Sequence, residues 1–118
     1  MSESTNKKDY IQYIGRAMST LIILTRLYQD KEHSGYSLIK KIKELTNGKL
    51  RFRAGTIYSQ IDKLSEQGLI TLKIQDISSR EGLIRQKSVY SLSKRGMMVL
   101  EQMHQEWKDV HDILEMIL

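Results

Sequence analysis

A helical-period run that stops at a glycine and passes straight into a strand, an alternating hairpin beyond it, and a long last helix with an apolar seam predict a mostly helical α+β fold. The arrangement expected is a winged helix-turn-helix with a two-stranded wing and a long C-terminal dimerisation helix. The decisive run is residues 54–70. Within it Ile57, Ile61 and Leu64 recur at helical spacing and share one face, leaving Gly55, Thr56, Ser59, Asp62, Lys63 and Glu66 roughly opposite. Gly68 stands where a left-handed residue ends a helix, and the strand beginning at Leu69 brings alternation and β-branched content. The outward face is itself graded. Thr56, Ser59 and Lys63 can meet a polyanion, whereas Asp62 and Glu66 would be repelled by one, so the first two turns are the ones expected to approach it. The bland alternative is a solvated face on a small α+β domain.

The remaining elements follow in order. Residues 1–8 are polar and expected to be disordered. A winged-helix domain over 9–92 opens with one helix from about Asp9 to Gln29, carrying Tyr10, Ile14, Ala17, Leu21, Leu24 and Tyr28 on one stripe. Asp30 to Ser34 reads as a polar turn. A second helix from about Gly35 to Thr46 buries Leu38, Ile42 and Leu45, exposes Lys40, Lys41 and Lys43, and ends at Asn47-Gly48. A short extended segment, Leu50 to Phe52, leads into the reading helix. Past the first wing strand, the turn-rich stretch 78–82 precedes an alternating run over 87–92.

Ser93 is a plausible N-cap for a last helix over 93–118. Along it Leu100, Met103, Trp107, Val110, Leu114 and Ile117 alternate steps of three and four, a heptad seam of the kind used for helix pairing. A domain this small cannot cover so wide a stripe, so a second copy is expected to pack on it together with Ile14 and Leu21 of the first helix. The alternative is a helix folded back on its own domain.

Composition narrows the classes. At 118 residues the chain fits one domain, and without cysteine it has no thiolate zinc site, thiol nucleophile or disulfide, as suits a reducing cytoplasm. The longest wholly apolar run, Leu21 to Leu24, is far short of a membrane span, and no secretory signal is read at the start. The net charge of +5 is unevenly spread: residues 31–95 hold fourteen Lys or Arg against six Asp or Glu, and residues 96–118 hold one against five. A basic middle and an acidic tail point to a polyanionic partner for the first and another role for the second.

Several motifs in sequence order resemble the PadR family of transcriptional regulators over about residues 18–110. They are Gly35-Tyr36-Ser37-Leu38-Ile39, Gly55-Thr56-Ile57-Tyr58, Glu66-Gln67-Gly68-Leu69-Ile70, and the strand into the last helix, residues 90–96. The chain departs from the family in having Ala54 and Ser59 where proline is frequent, which leaves the entry to the reading helix less rigid. The resemblance implies a cytoplasmic homodimer that binds a partly palindromic operator in double-stranded DNA and represses transcription. In many members it also implies a response to a small aromatic effector. Trp107 matches a last-helix position facing the dimer centre, where its ring could stack on such a ligand, although ordinary seam packing is the favoured reading of it.

The residues expected to touch DNA are therefore Thr56, Ser59 and Lys63 at the groove, with Tyr58 on the flank as a contact or as a half-buried ring. Lys40, Lys49, Arg51, Arg53 and the wing residues Arg80, Arg85 and Lys87 are expected on phosphates. His104 and His111 lie two turns apart with no thiolate or carboxylate cluster to complete a metal site, so neither a metal nor a cofactor is expected. An enzyme is disfavoured because no nucleophile elbow, phosphate loop, HExxH pair or spaced carboxylate pair is present. A winged helix serving protein interaction, replication or partition remains the competing use.

Overall fold

A computed structural model describes residues 10–118. The expected disordered start and the Asp9 boundary of the first helix lie outside the described residues. Among those described, the order is α1 (Tyr10–Ala17), α2 (Ser19–Asp30), β1 (Glu32–His33), α3 (Gly35–Leu45), α4 (Ala54–Glu66), β2 (Ile70–Ser78), β3 (Ile84–Leu92) and α5 (Lys94–Ile117). The fold is the expected winged helix-turn-helix with a long last helix.

The core is built from α2, α3, α4 and the root of the hairpin. Ile23, Leu24 and Leu27 of α2 meet Leu38 and Ile42 of α3, Ile57, Ile61 and Leu64 of α4, and Leu69, Ile70 and Leu100. The 3.6-residue period of each helix turns these positions inward, and their burial supplies most of the folding free energy, on the order of 25 cal/mol per Å². Leu50 and Phe52 plug the same core from the segment ahead of α4.

Four expectations need correction. The first helix is not continuous: α1 and α2 are separated at Met18, whose N–H is shared between the carbonyls of Ile14 and Gly15 and whose ψ is 10°. Gly15, a weak helix former, and the Ser19-Thr20 pair flank that break. The break resets the phase, so of the expected stripe only Leu24 is fully buried and Leu21 partly. Tyr10, Ile14, Ala17 and Tyr28 are exposed, and Ile23 and Leu27 take their place. The supposed polar turn after α2 contains β1, which pairs antiparallel with β3 through Glu32–Ser91 and His33–Tyr90, giving the sheet order β1-β3-β2. Leu45, in the last turn of α3, is exposed rather than buried. The strand pair begins at Ile70 and Ile84, and Leu72 and Ile74 are more than half exposed because the hairpin projects past the helices that cover its root.

One polar cluster fastens the end of α2 to the start of α3. His33 Nε2 donates to Asp30 Oδ2 at 2.7 Å, since a carboxylate only accepts, and His33 Nδ1 meets Ser37 Oγ at 2.8 Å. Ser34 caps α3 by accepting from the Ser37 N–H. Asp30 closes the last turn of α2, where the helix dipole disfavours a negative charge, so it needs compensation. The His33 hydrogen bond, and secondarily Arg26, hold its carboxyl below the usual carboxylate range despite partial burial. A lowered native pKa means that this contribution is fully present above the ordinary carboxylate value and is lost as pH falls through the native one. Asp30→Asn should cost about 1 kcal/mol at pH 7 in chemical denaturation, and the gap to the unaltered protein should close on acidification. A gap that stays constant down to pH 2 would show that the charge does not contribute.

Candidate nucleic-acid interface

The reading helix α4 starts without a side-chain cap. Arg53 is its extended N-cap residue, and the Ile57 N–H is the first to find an intrahelical acceptor, the Arg53 carbonyl, at 3.1 Å. The N–H groups of Ala54, Gly55 and Thr56 therefore face outward at the positive end of the helix dipole. Beside them lies a polar cleft of about 650 Å³ lined by Gln12, Arg16, Arg51, Phe52, Arg53 and Thr56. Three arginines thus line one cleft together with Thr56 of the first turn of α4. Extended backbone explains two of them, because alternation sends Leu50 and Phe52 into the core and Arg51 and Arg53 out.

Thr56, Ser59 and Lys63, three and four residues apart, run along the outer surface of α4, with Ser59 and Lys63 exposed and Thr56 half-buried. Tyr58 lies off this line. Its ring covers Gly35 so closely that a Cβ there would come within 2.5–2.8 Å of Cε1, Cζ and Oη. About two-fifths of Tyr58 remains exposed. The residue is thus a spacer between α3 and α4, with its hydroxyl at the first turn of α3. Behind it, burial pushes the Tyr90 phenol above its usual range, and the nearby Tyr58 and Asp62 add to the shift.

Strand register sorts the wing. Cross-strand partners share a face, so the pairs Lys73–Val89, Gln75–Lys87 and Ile77–Arg85 put Lys73, Arg85 and Lys87 on one side. The pairs Ile70–Leu92 and Leu72–Tyr90 occupy the other, which continues into the core. Arg80 sits in the tip, where the Ser79 N–H donates to the Leu83 carbonyl and the Leu83 N–H returns to Ser79 Oγ. Of the expected phosphate contacts, Arg51 and Arg53 come together with Thr56, and Arg85 with Lys87. Lys49 lies at the start of the segment leading to α4. Lys40 stands apart, in a shallow groove with Tyr36, Ile39, Lys43 and Gly48. Arg16 and Lys73 were not anticipated. Lys73 follows from period-two alternation once the hairpin register is known; Arg16 is brought in only by the packing of α1.

Only the first turns of α5 are covered. Leu100 is buried and Met103 partly, but Trp107, Val110, Leu114 and Ile117 are between two-fifths and three-quarters exposed. Leu21, Met103, Trp107 and Val110 line one apolar groove of about 350 Å³ with Ala17 and Met18. Trp107 makes an edge contact with the His111 ring, centroids 6.1 Å apart. His111 is exposed beside Asp112 and Glu115. Among the described residues no group of side chains could hold a metal ion, and no helix is long and apolar enough to cross a membrane.

A helix-turn-helix whose second helix carries this polar face, followed by a β wing and a long last helix, defines a winged-helix transcriptional regulator. Residues 23–102 match the Transcriptional regulator PadR-like family, and the chain belongs to it; its members are regulators rather than enzymes. The Escherichia coli transcriptional regulator YqjI is 33% identical over 91 residues, 77% of this chain and 40% of that one. The chain thus spans about two-fifths of that relative's length. A transcriptional regulator from Clostridium thermocellum superposes with a TM-score of 0.76 at 20% identity, over 86% of this chain and 91% of that one. PadR of Bacillus subtilis, crystallised with operator DNA, gives a TM-score of 0.61 at 25% identity, over 72% of this chain and 45% of that one.

The Tyr58–Gly35 contact is testable by a double-mutant cycle. Gly35→Ala should destabilise by about 1–2 kcal/mol, because crowding outweighs the roughly 1 kcal/mol that alanine gains in a helix. Tyr58→Ala should remove much of that cost. Strictly additive effects on the unfolding midpoint would mean that the ring does not rest on Gly35.

Proposed function

We propose that the protein is a cytoplasmic homodimeric repressor that binds a partly palindromic operator in double-stranded DNA. The observation that carries this is the uncapped start of α4 framed by Arg16, Arg51 and Arg53, with Thr56, Ser59 and Lys63 continuing outward from it. Free N–H groups and guanidinium pairs suit phosphate oxygens, and the threonine, serine and lysine side chains suit base edges. The wing cations Lys73, Arg85 and Lys87, with Arg80 at the tip, add backbone contacts that hold register without reading sequence. The operator complex of the Bacillus subtilis relative supports this assignment.

Pairing through α5 is supported by the uncovered seam. A helix of 24 residues is about 36 Å long, and beyond Met103 its apolar side is left largely exposed among the described residues. A second copy packing there, with Tyr10 and Ile14 of α1 alongside, would remove a long exposed apolar stripe from water. The acidic tail then lies away from the DNA while the basic heads face it. The groove at Trp107 is the seat we assign to a flat aromatic effector, which would stack on the indole between the two copies.

Selection of bound fragments from random DNA tests the whole reading. The expected outcome is inverted half-sites separated by about ten base pairs, or a small multiple, bound by two chains. A lone chain that ignores DNA at low salt would favour a protein-interaction module instead. On a selected site, replacing Arg80 and Arg85 by glutamine should weaken all sequences alike and make the slope of log K against log salt shallower by about two. An unchanged slope would remove the wing from the interface.

A further inference from the structure

The side chain of Gln12, on α1, makes a pincer on the segment that feeds the reading helix. Its Nε2 donates to the Lys49 carbonyl at 2.6 Å, and its Oε1 accepts the Arg51 N–H at 3.2 Å. A primary amide offers the same donor and acceptor as a peptide group. Bonding the carbonyl of one residue and the N–H of the residue two further on is the pattern by which a parallel strand grips its neighbour. Between the two grips Leu50 points inward against Gly15, where the absence of a Cβ leaves room for its side chain. Among the described residues no strand pairs with the strap of residues 49–53, and this amide supplies the two bonds that a strand neighbour would make there.

We propose that Gln12 is a positioning residue for DNA binding: by imitating a β-strand neighbour it fixes the course of the strap and aims Arg51 and Arg53 into the cleft at the start of α4. The proposal rests on the assignment of that cleft to DNA phosphate. Without the pincer, Leu50 and Phe52 still anchor the strap to the core, so the fold survives, but the alternation that sends both guanidinium groups outward loses its outer support. The same α1 carries the exposed Tyr10, Ile11, Tyr13 and Ile14 on its other side. A helix that is gripped by its partner on one face and grips the strap on the other joins the state of the pairing surface to the aim of the reading head.

The test uses the full chain and a duplex obtained by selection. Gln12→Met preserves length and removes both hydrogen bonds; Gln12→Asn keeps the amide but is one methylene short of both partners. Each variant should retain the oligomeric state and unfold near the midpoint of the unaltered protein. Each should bind the duplex roughly tenfold or more weakly, with a salt slope shallower by about two. In a cycle with the Arg51→Gln, Arg53→Gln pair the losses should be non-additive, because both changes remove the same phosphate contacts. The Arg51 amide should also exchange with solvent faster in both variants, a readout independent of DNA. An unchanged slope with unchanged Arg51 exchange, or fully additive losses, would overturn the proposal. Failure of the unaltered protein to bind DNA in a salt-dependent way, with Arg51 exchange still accelerated in the variants, would instead sink the cleft assignment and the proposal with it, while leaving the pincer in place.

Discussion

Reading helix, wing and last helix are tied at a single knot of backbone. Gly68 takes a φ of 73°, which ends α4 and turns the chain into β2. Ser93 then returns to this turn: its hydroxyl donates to the Gly68 carbonyl at 2.6 Å and its N–H to the Leu69 carbonyl at 3.0 Å. The same hydroxyl oxygen accepts the Gly96 N–H and so caps α5. Gly96 has no Cβ because the Leu69 carbonyl occupies the space that one would need. The direction of α5 relative to α4 is therefore set by hydrogen bonds and sterics rather than by a loop. In the proposed dimer, joined by its last helices, that angle would decide how far apart the two heads stand.

Around this knot the chain divides its apolar surface. One share closes inside the protomer, with seven large side chains under 2% exposed. The other share, on α1 and the far two-thirds of α5, stays open. Charge divides in the same way, with cations gathered on α3, the strap ahead of α4 and the wing, and the carboxylates concentrated along α5. Hydrophobic association is non-directional and would favour any partner with a matching stripe. In the proposed dimer, charge would add the direction, since like-signed heads would turn outward to share a polyanion instead of meeting each other.

What could be read in the sequence was the part governed by local rules. Gly68, the Ser93 cap and the inward positions of α4 each depend on spacing or on one residue's chemistry, and each is found where spacing puts it. Features that depend on a distant partner were out of reach. The break at Met18 accompanies the close seat of Gly15 on Leu50, which the sequence does not show; β1 is two residues long and exists because β3 passes beside it. Leu45 has the right period but sits in the final turn of α3, beyond the reach of the core. Arg16 and Gln12 look like ordinary surface positions of a helix until α1 is laid against the strap. Tyr58 was open between a DNA contact and a half-buried ring, and its bed on Gly35 accounts for the buried portion.

The central claim is that two rigidly mounted heads face the duplex at a fixed separation. It is tested most directly by measuring affinity for a series of duplexes in which the spacing between inverted half-sites is lengthened one base pair at a time. Rigid mounting predicts a sharp loss by about five added pairs, half a helical turn, which carries one half-site to the opposite side of the DNA. Equal affinity at every spacing would contradict it, because heads free to turn on their last helices would follow the half-sites wherever they were placed.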